Sequence, residues 1–309
     1  MTSNELAHFG LTTPPFTKEI ADDDLWMPPS KAAVVDELVE ALGARESVLL
    51  TGEPGVGKTC VLRALRRRLP EAGFRLTYCH NATLGRRDFY RQICVALGLS
   101  PKATAAAVFY EVTRHVEQLA GERRHPVFLL DEAHLLHQDV LDHLHILCNY
   151  EWDSRALLSL LLVGLPELRE RLGRRHQRSL YSRIKHRIQI DSSGPDDTTE
   201  YVRYRLRLAG AGEREHFTGD ALAMLHEAAG GGLRDLDRLA EASMRDGLAP
   251  QEEARRTRRR PPLLRRRSIA PSSRRTTAIA GNYPRWPLCL ARPRRPRCPS
   301  RSQRPSVPG

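Results

Sequence analysis

Between about residue 30 and residue 247 the chain alternates two hydrophobic patterns. Short apolar runs suited to buried strands are separated by stretches whose apolar positions return every three or four residues, as on one face of a helix. The strand-like runs are Ser47-Val48-Leu49-Leu50, Phe74 to Cys79, Val127-Phe128-Leu129-Leu130, Leu157 to Val163 and Arg187-Ile188-Gln189-Ile190. Helical periodicity covers roughly 30–42, 60–65, 86–97 and 104–120. Strand–helix alternation of this kind predicts an α/β layer with a parallel five-stranded sheet. From Asp196 onward the pattern is helical only, over about 196–209, 218–228 and 233–246. Leu222, Met224, Leu225, Leu233, Leu236 and Leu239 supply a common buried face for a small helical domain.

The last stretch has no period of either kind. Residues 251–309 hold 10 of the 21 prolines, no Phe and no Lys, so they are expected to be disordered. The expected division is therefore an N-terminal extension (1–29), an α/β domain (30–194), a helical lid (195–248) and an Arg/Pro-rich tail (249–309). The net charge of +12 is a property of that tail. It carries 17 Arg against two acidic residues, about +15, which leaves about −3 on the first 250 residues. Two readings of the tail stand: a basic arm for phosphate backbones, or an aberrant C-terminus such as a frameshifted reading of GC-rich DNA. The Arg/Pro/Ser bias without lysine favours the second.

One loop carries the chemistry. Gly52-Glu53-Pro54-Gly55-Val56-Gly57-Lys58-Thr59 fits the phosphate-binding pattern GxxxxGK(S/T), between a predicted strand and a predicted helix. Glycines let successive backbone N–H groups turn toward a polyphosphate, and the helix N-terminus adds its dipole. Lys58 is expected to reach the β- and γ-phosphates, and the Thr59 hydroxyl to ligate Mg²⁺. A second apolar strand ends in Asp131-Glu132, 73 residues beyond Lys58. In an ATPase of this design the aspartate holds the metal and the glutamate directs the attacking water. ATP and Mg²⁺ are thus the expected cofactors, with Lys58, Asp131 and Glu132 catalytic and Thr59 and Asp131 at the metal.

Other signals add less. Asp131-Glu132-Ala133-His134 also spells the box of certain helicases, but those need two tandem motor domains and this chain has room for one. His134, His137, His143, His145 and Cys148 read as a solvated helix after the catalytic strand rather than a metal site. Six scattered cysteines (60, 79, 94, 148, 289, 298) form no CxxC pair. No signal peptide and no apolar run long enough for a bilayer are visible, so a cytoplasmic protein without membrane contact is expected. Arg66-Arg67-Arg68 and the arginines from 169 to 178 are candidate contacts for DNA phosphates.

On its motifs the chain resembles AAA+ ATPases of the ExeA-like type, related to the TniB and phage Mu B transposition helpers. The resemblance spans about residues 8–247. It rests on His8-Phe9-Gly10-Leu11 with Pro15-Phe16, the phosphate loop, the Leu-Leu-Asp-Glu-Ala-His run, and Asn149-Tyr150-Glu151-Trp152-Asp153-Ser154-Arg155 followed by Leu161 to Leu168. Tyr201 with Arg205-Leu206, and Gly231-Gly232-Leu233-Arg234, are similar to the family's lid. The resemblance implies a P-loop NTPase (AAA+) fold with a helical lid, and three further roles. Arg234 corresponds to the lid arginine at the γ-phosphate. Arg183, with Arg178 as alternate, corresponds to an arginine finger for a neighbouring subunit. Asn81 corresponds to a polar residue restraining Glu132. At the end of the fourth strand, where the family carries a polar residue that orients water, this chain has Leu165.

Together these readings imply an ATP-hydrolysing switch that assembles as an ATP-dependent homo-oligomer on double-stranded DNA and engages a transposase. Two alternatives remain: a secretion-associated ATPase of the ExeA kind, which predicts membrane and peptidoglycan-binding segments after the ATPase region, and a weakly hydrolysing nucleotide-dependent regulatory module, suggested by Leu165.

Overall fold

The computed structural model describes residues 1–79, 85–99, 105–148 and 156–259. Met1–Arg259 form one compact unit. The expected tail beyond residue 259, Asn81 and the 149–155 motif lie outside the described residues.

Five strands, β1 (Ser47–Gly52), β2 (Phe74–Cys79), β3 (His125–Leu130), β4 (Ser159–Gly164) and β5 (Ile184–Ile190), form one sheet in the order β2-β3-β4-β1-β5. Every pairing is parallel, with Val48 opposite Leu161, Val127 opposite Ser159, and Gly52 opposite Ile190. The central strands β1, β3 and β4 are buried at every position, which is why they read as continuous apolar runs rather than alternating ones. Edge strand β5 alternates instead: Ile184, Ile188 and Ile190 face inward, while Lys185, Arg187 and Gln189 are exposed. That polar first half hid three residues of the strand from the sequence reading. β3 likewise begins two residues earlier than its apolar run, at His125.

Helices cover both faces of the sheet. On one face α2 (Pro29–Gly43) and α3 (Lys58–Arg68) bury Val35, Leu38, Val61 and Leu65 against Val48, Leu50, Leu129 and Leu161. On the other, α4 (Arg86–Ala96), α5 (Ala105–Gly121), α6 (Gln138–Leu147) and the short α7 (Glu167–Leu172) and α8 (Arg178–Tyr181) pack on Leu49, Phe128, Leu130, Leu160 and Leu162. Each such fully buried aliphatic contributes about 1.5–3 kcal/mol of transfer free energy. α6 is more than the solvated helix expected there, since Val140, Leu141, Leu144 and Leu147 are buried.

The lid is α9 (Pro195–Leu208), α10 (Gly219–Ala229) and α11 (Leu233–Arg259). α11 runs past residue 248, where the lid was expected to end; Ala, Glu and Arg are good helix formers and continue it despite Pro250. The N-terminal extension, with α1 (Ser3–Phe9), belongs to this lid core rather than to the sheet: Leu11, Phe16 and Trp26 cluster with Tyr201, Leu206, Leu225 and Leu236. No helix among the described residues is long and apolar enough to cross a membrane.

Candidate active site

The phosphate loop leaves the carboxyl end of β1 and enters α3 at Lys58. Glycine is forced at its start, because a Cβ on Gly52 would lie 2.8 Å from the Ile190 carbonyl oxygen and 2.9 Å from Val56 Cγ2. Gly57 takes φ +99°, a left-handed conformation that side-chain-bearing residues avoid. Lys58 Nζ donates to the carbonyls of Gly52 at 2.7 Å and Glu53 at 2.9 Å, so the ammonium sits inside the curl of the loop. Burial lowers its pKa; the charges of Glu132, Asp131 and Glu53 oppose that shift, and Arg234 adds to it. Thr59 is exposed on the first turn of α3, with its hydroxyl available to a ligand.

β3 delivers the two carboxylates. Asp131 Oδ1 accepts from the backbone N–H of Glu132 at 2.9 Å, and its Oδ2 accepts from the Tyr78 hydroxyl at 3.0 Å. Burial together with the neighbouring Asp131 charge pushes the Tyr78 hydroxyl up to about 12. Glu132 holds φ +52°, a conformation costly for a residue with a side chain and found where function fixes the backbone. Its carboxylate is half exposed, with His134 Nε2 3.6 Å from Oε2.

The lid closes the loop from above. The backbone N–H of Leu233 donates to the Gly55 carbonyl at 2.9 Å, which sets Arg234 directly over the phosphate loop. Lys58, Thr59, Asp131, Glu132, Leu165 and Arg234 line one cavity of about 520 Å³. The cavity continues past Cys60 to Trp26, Ile20 and Leu25 of the N-terminal extension and to Tyr201 and Asp237 of the lid. This is an apolar chamber beside a polar phosphate end, with room for a nucleoside.

A buried guanidinium locks the chamber's walls together. Arg205 donates to the carbonyls of Pro15 (2.8 Å) and Thr17 (2.6 Å), to the Tyr201 hydroxyl (2.6 Å) and to Asp237 (3.3 Å). Tyr201 in turn donates to Asp237 at 2.7 Å, and Trp26 packs edge-on against the Tyr201 ring. Burial outweighs these donors and raises the Asp237 carboxyl to about 6. Lys31 lies behind the phosphate loop, 3 % exposed, its ammonium donating to Ser193 Oγ at 3.0 Å and standing 5.1 Å over the Trp26 ring. Burial lowers its pKa, against the pull of Asp197.

Of the sequence-derived candidates, the structure gathers Lys58, Thr59, Asp131, Glu132 and Arg234 about the cavity, with Gly52 to Gly57 forming its loop. Arg183 is elsewhere. It precedes Ile184, which pairs with Ser47 at the amino end of the strands, about 20 Å along the sheet from Gly52. Its Nη1 donates to the Ser179 carbonyl at 2.8 Å. The basic clusters also divide. Arg63 and Arg67 pair with Asp22 and Asp23 and tie the N-terminal extension to α3, while Arg68 pairs with Asp36 of α2. Arg171 caps the carbonyls of His134 and Leu136, whereas Arg169, Arg174, Arg175 and Arg178 are exposed. His137 caps α6 and His143 meets Arg86 at 2.7 Å, so the histidine series is dispersed.

Trp26, Lys31, Tyr78 and Asp237 were missed by sequence reasoning. Each stands alone in its segment and acquires a role only through folding partners distant in sequence. Tyr201 and Arg205 were marked as lid residues, but nothing local marked their contacts with Pro15 and Thr17.

The residues present fit Mg²⁺·ATP. The glycine curl that a Cβ would fill is a polyphosphate cradle, and Thr59 and Asp131 offer hard oxygen donors suited to Mg²⁺.

Comparison with known proteins agrees with this geometry. Residues 41–172 match the AAA domain family model. The chain is 34% identical over 240 residues to General secretion pathway protein A of Aeromonas hydrophila, covering 76% of this chain and 43% of that protein, so it spans less than half of its relative's length. Among solved structures it resembles Cdc6p of Pyrobaculum aerophilum (21% identity, TM-score 0.54, 76% of this chain and 67% of that one). It is also similar to the Walker-type ATPase paby2304 of Pyrococcus abyssi (18% identity, TM-score 0.55, 80% of each chain). At such identities these two likenesses speak for the fold. The chain thus contains an AAA domain in a P-loop NTPase fold and is homologous to the secretion pathway protein.

Proposed function

We propose that this AAA domain is an ATP-hydrolysing switch whose active site is completed by a second copy of the chain. The observation that carries it is the split placement of the charged residues. Lys58, Asp131, Glu132 and Arg234 surround one cavity, while Arg183 lies at the other end of the sheet, remote from that cavity, which supports a role toward a neighbouring copy.

In this reading the loop N–H groups and Lys58 bind the β- and γ-phosphates, and Trp26 and the lid enclose the nucleoside. Thr59 and Asp131 would hold Mg²⁺, which when bound would supply positive charge to the phosphates. Glu132 accepts a proton from the attacking water. Arg234 senses the γ-phosphate from the lid, and the Leu233–Gly55 hydrogen bond couples lid position to the loop. Arg183 of a neighbouring copy stabilises the transition state from outside. The ATP state thereby sets the oligomer, and hydrolysis releases it.

Two processes are supported by separate observations. The 34% identity to General secretion pathway protein A supports a secretion-linked ATPase, a reading that the sequence alone placed second. The exposed Arg169, Arg174, Arg175 and Arg178 are available to DNA phosphates, as a DNA-bound transposition helper acting with a transposase would require. Fluorescence anisotropy with labelled duplex DNA, on the chain ending at residue 259 and with ATP or ADP, separates them. ATP-dependent, salt-sensitive binding lost in the fourfold Arg→Ala variant supports the transposition helper; its absence leaves the secretion-linked reading. The switch itself fails if Lys58→Ala binds ATP as tightly as the wild type.

A further inference from the structure

The turn that follows Glu132 contains a buried imidazole with a defined hydrogen-bonding polarity. The His134 side chain is 7 % exposed. Its Nδ1 accepts a hydrogen bond from the backbone N–H of Leu165 at 3.4 Å. A nitrogen that accepts from an N–H carries no proton of its own, so the neutral ring bears its proton on Nε2. That nitrogen stands 3.6 Å from Glu132 Oε2, within a small side-chain adjustment of a hydrogen bond.

The surroundings hold the ring in this pose. A Cβ on Gly164 would meet Leu168 Cδ2 at 2.9 Å, the His134 backbone nitrogen at 3.2 Å and His134 Nδ1 at 3.3 Å, so glycine leaves room for both the Leu168 side chain and the ring at the end of β4. Arg171 donates to the carbonyls of His134 and Leu136, fixing the turn from its other side. Leu165 meanwhile projects an apolar side chain into the same cavity and offers Glu132 no donor. Its backbone N–H does the work indirectly, by aiming His134.

We propose that His134 is a positioning residue for Glu132. Its Nε2–H holds the glutamate carboxylate toward the γ-phosphate end of the cavity, supplying the polar contact that Leu165 cannot. The inference rests on the proposed role of Glu132 as the group that accepts the water's proton, and it assigns His134 no proton transfer of its own.

Two readouts test it. The first needs no turnover: the histidine ¹⁵N spectrum of the nucleotide-free full chain at about pH 8. The resonance pair absent from His134→Gln is expected to show an unprotonated Nδ1 and a protonated Nε2, with Nε2 shifted in Glu132→Gln. A ring protonated at Nδ1, or one blind to Glu132→Gln, overturns the proposal. The second is kinetic. His134→Leu is expected to lower kcat by about 10- to 100-fold with ATP affinity held within about twofold, the signature of misplacement rather than lost binding. His134→Gln, which keeps an N–H donor at similar reach, is expected to restore most of that loss, and Glu132→Gln/His134→Leu to be no slower than Glu132→Gln. An unchanged kcat in His134→Leu, or parallel losses of ATP binding and of kcat that Gln does not restore, overturns it. Full turnover by Glu132→Gln would instead remove the assignment of Glu132 itself, so the two failures are distinguishable.

Discussion

The backbone N–H of Leu233, at the first position of the last lid helix, donates to the carbonyl of Gly55 in the phosphate loop at 2.9 Å. This single bond joins the lid to the nucleotide loop without an intervening side chain. It also puts Arg234 against the loop, its Cβ 3.4 Å from where a Gly55 Cβ would lie. In the proposed reading, an arginine so placed senses the γ-phosphate.

Arg234→Ala is therefore expected to weaken ATP binding by about tenfold or more, the scale of one hydrogen bond to a charged group. ADP binding should stay within about twofold of wild type. Calorimetric titration of both nucleotides checks this, and equal losses for ATP and ADP would show that Arg234 supports the loop rather than reading the third phosphate.

Much of this site was legible in the sequence because its central parts are local. Gly52 to Thr59 are contiguous and the loop geometry demands those residues, while Asp131-Glu132 sit at the end of a strand whose four apolar residues are unmistakable. Arg234 was reached only through the resemblance of Gly231-Gly232-Leu233-Arg234 to the family's lid, and the structure places it at the cavity. The nucleoside chamber was not legible, since it is assembled from Trp26, Tyr201 and Asp237, which come from three segments as much as 211 positions apart. The differing surroundings of the basic clusters were hidden for the same reason. Arg67 and Arg68 look alike in sequence to Arg174 and Arg175, and only folding shows that the first pair meets Asp23 and Asp36. The start of β5 was hidden because an edge strand needs only alternate apolar positions.

The placement of Arg183 gives a complementation test. Arg183→Ala should bind ATP as the wild type does yet hydrolyse it slowly, by a factor of about 10³ if the residue acts as an arginine finger. Lys58→Ala should fail to bind. Mixing the two inactive variants should restore part of the turnover, because a Lys58→Ala subunit still presents Arg183 to its neighbour's intact site. If the mixture remains as inactive as its components, Arg183 does not act in trans.

The Arg205 cluster should carry stability as well as shape. Its guanidinium is 3 % exposed and hydrogen-bonded to Pro15, Thr17, Tyr201 and Asp237. Arg205→Met would leave Asp237 without its buried partner, and breaking such a pair costs about 3–5 kcal/mol. Chemical denaturation should show that loss. Proteolysis should show that cleavage within residues 10–20 becomes faster, since the carbonyls of Pro15 and Thr17 lose their anchor. A variant as resistant to protease as wild type would mean that the Phe16 and Trp26 packing suffices to hold the segment.

The acid limb of stability should trace to one histidine in the sheet. His125 opens β3, buried at 7 % exposure with Nε2 2.8 Å from Ser159 Oγ, and burial, helped by the Arg45 charge, lowers its pKa from 6.5 to about 4. The folded state therefore resists a proton that the unfolded chain accepts. The stability due to neutral His125 is complete above about pH 6.5 and drains away as pH falls toward about 4, where the folded state too becomes protonated. The whole window corresponds to about 3 kcal/mol. His125→Gln keeps a side chain able to reach Ser159 but cannot titrate, so it should be the less stable protein at about pH 7.5 and lose less on acidification. The difference in unfolding free energy between the two proteins, from urea titrations at about pH 7.5 and 4.5, should change by about 2–3 kcal/mol; parallel curves would assign the acid sensitivity to other groups.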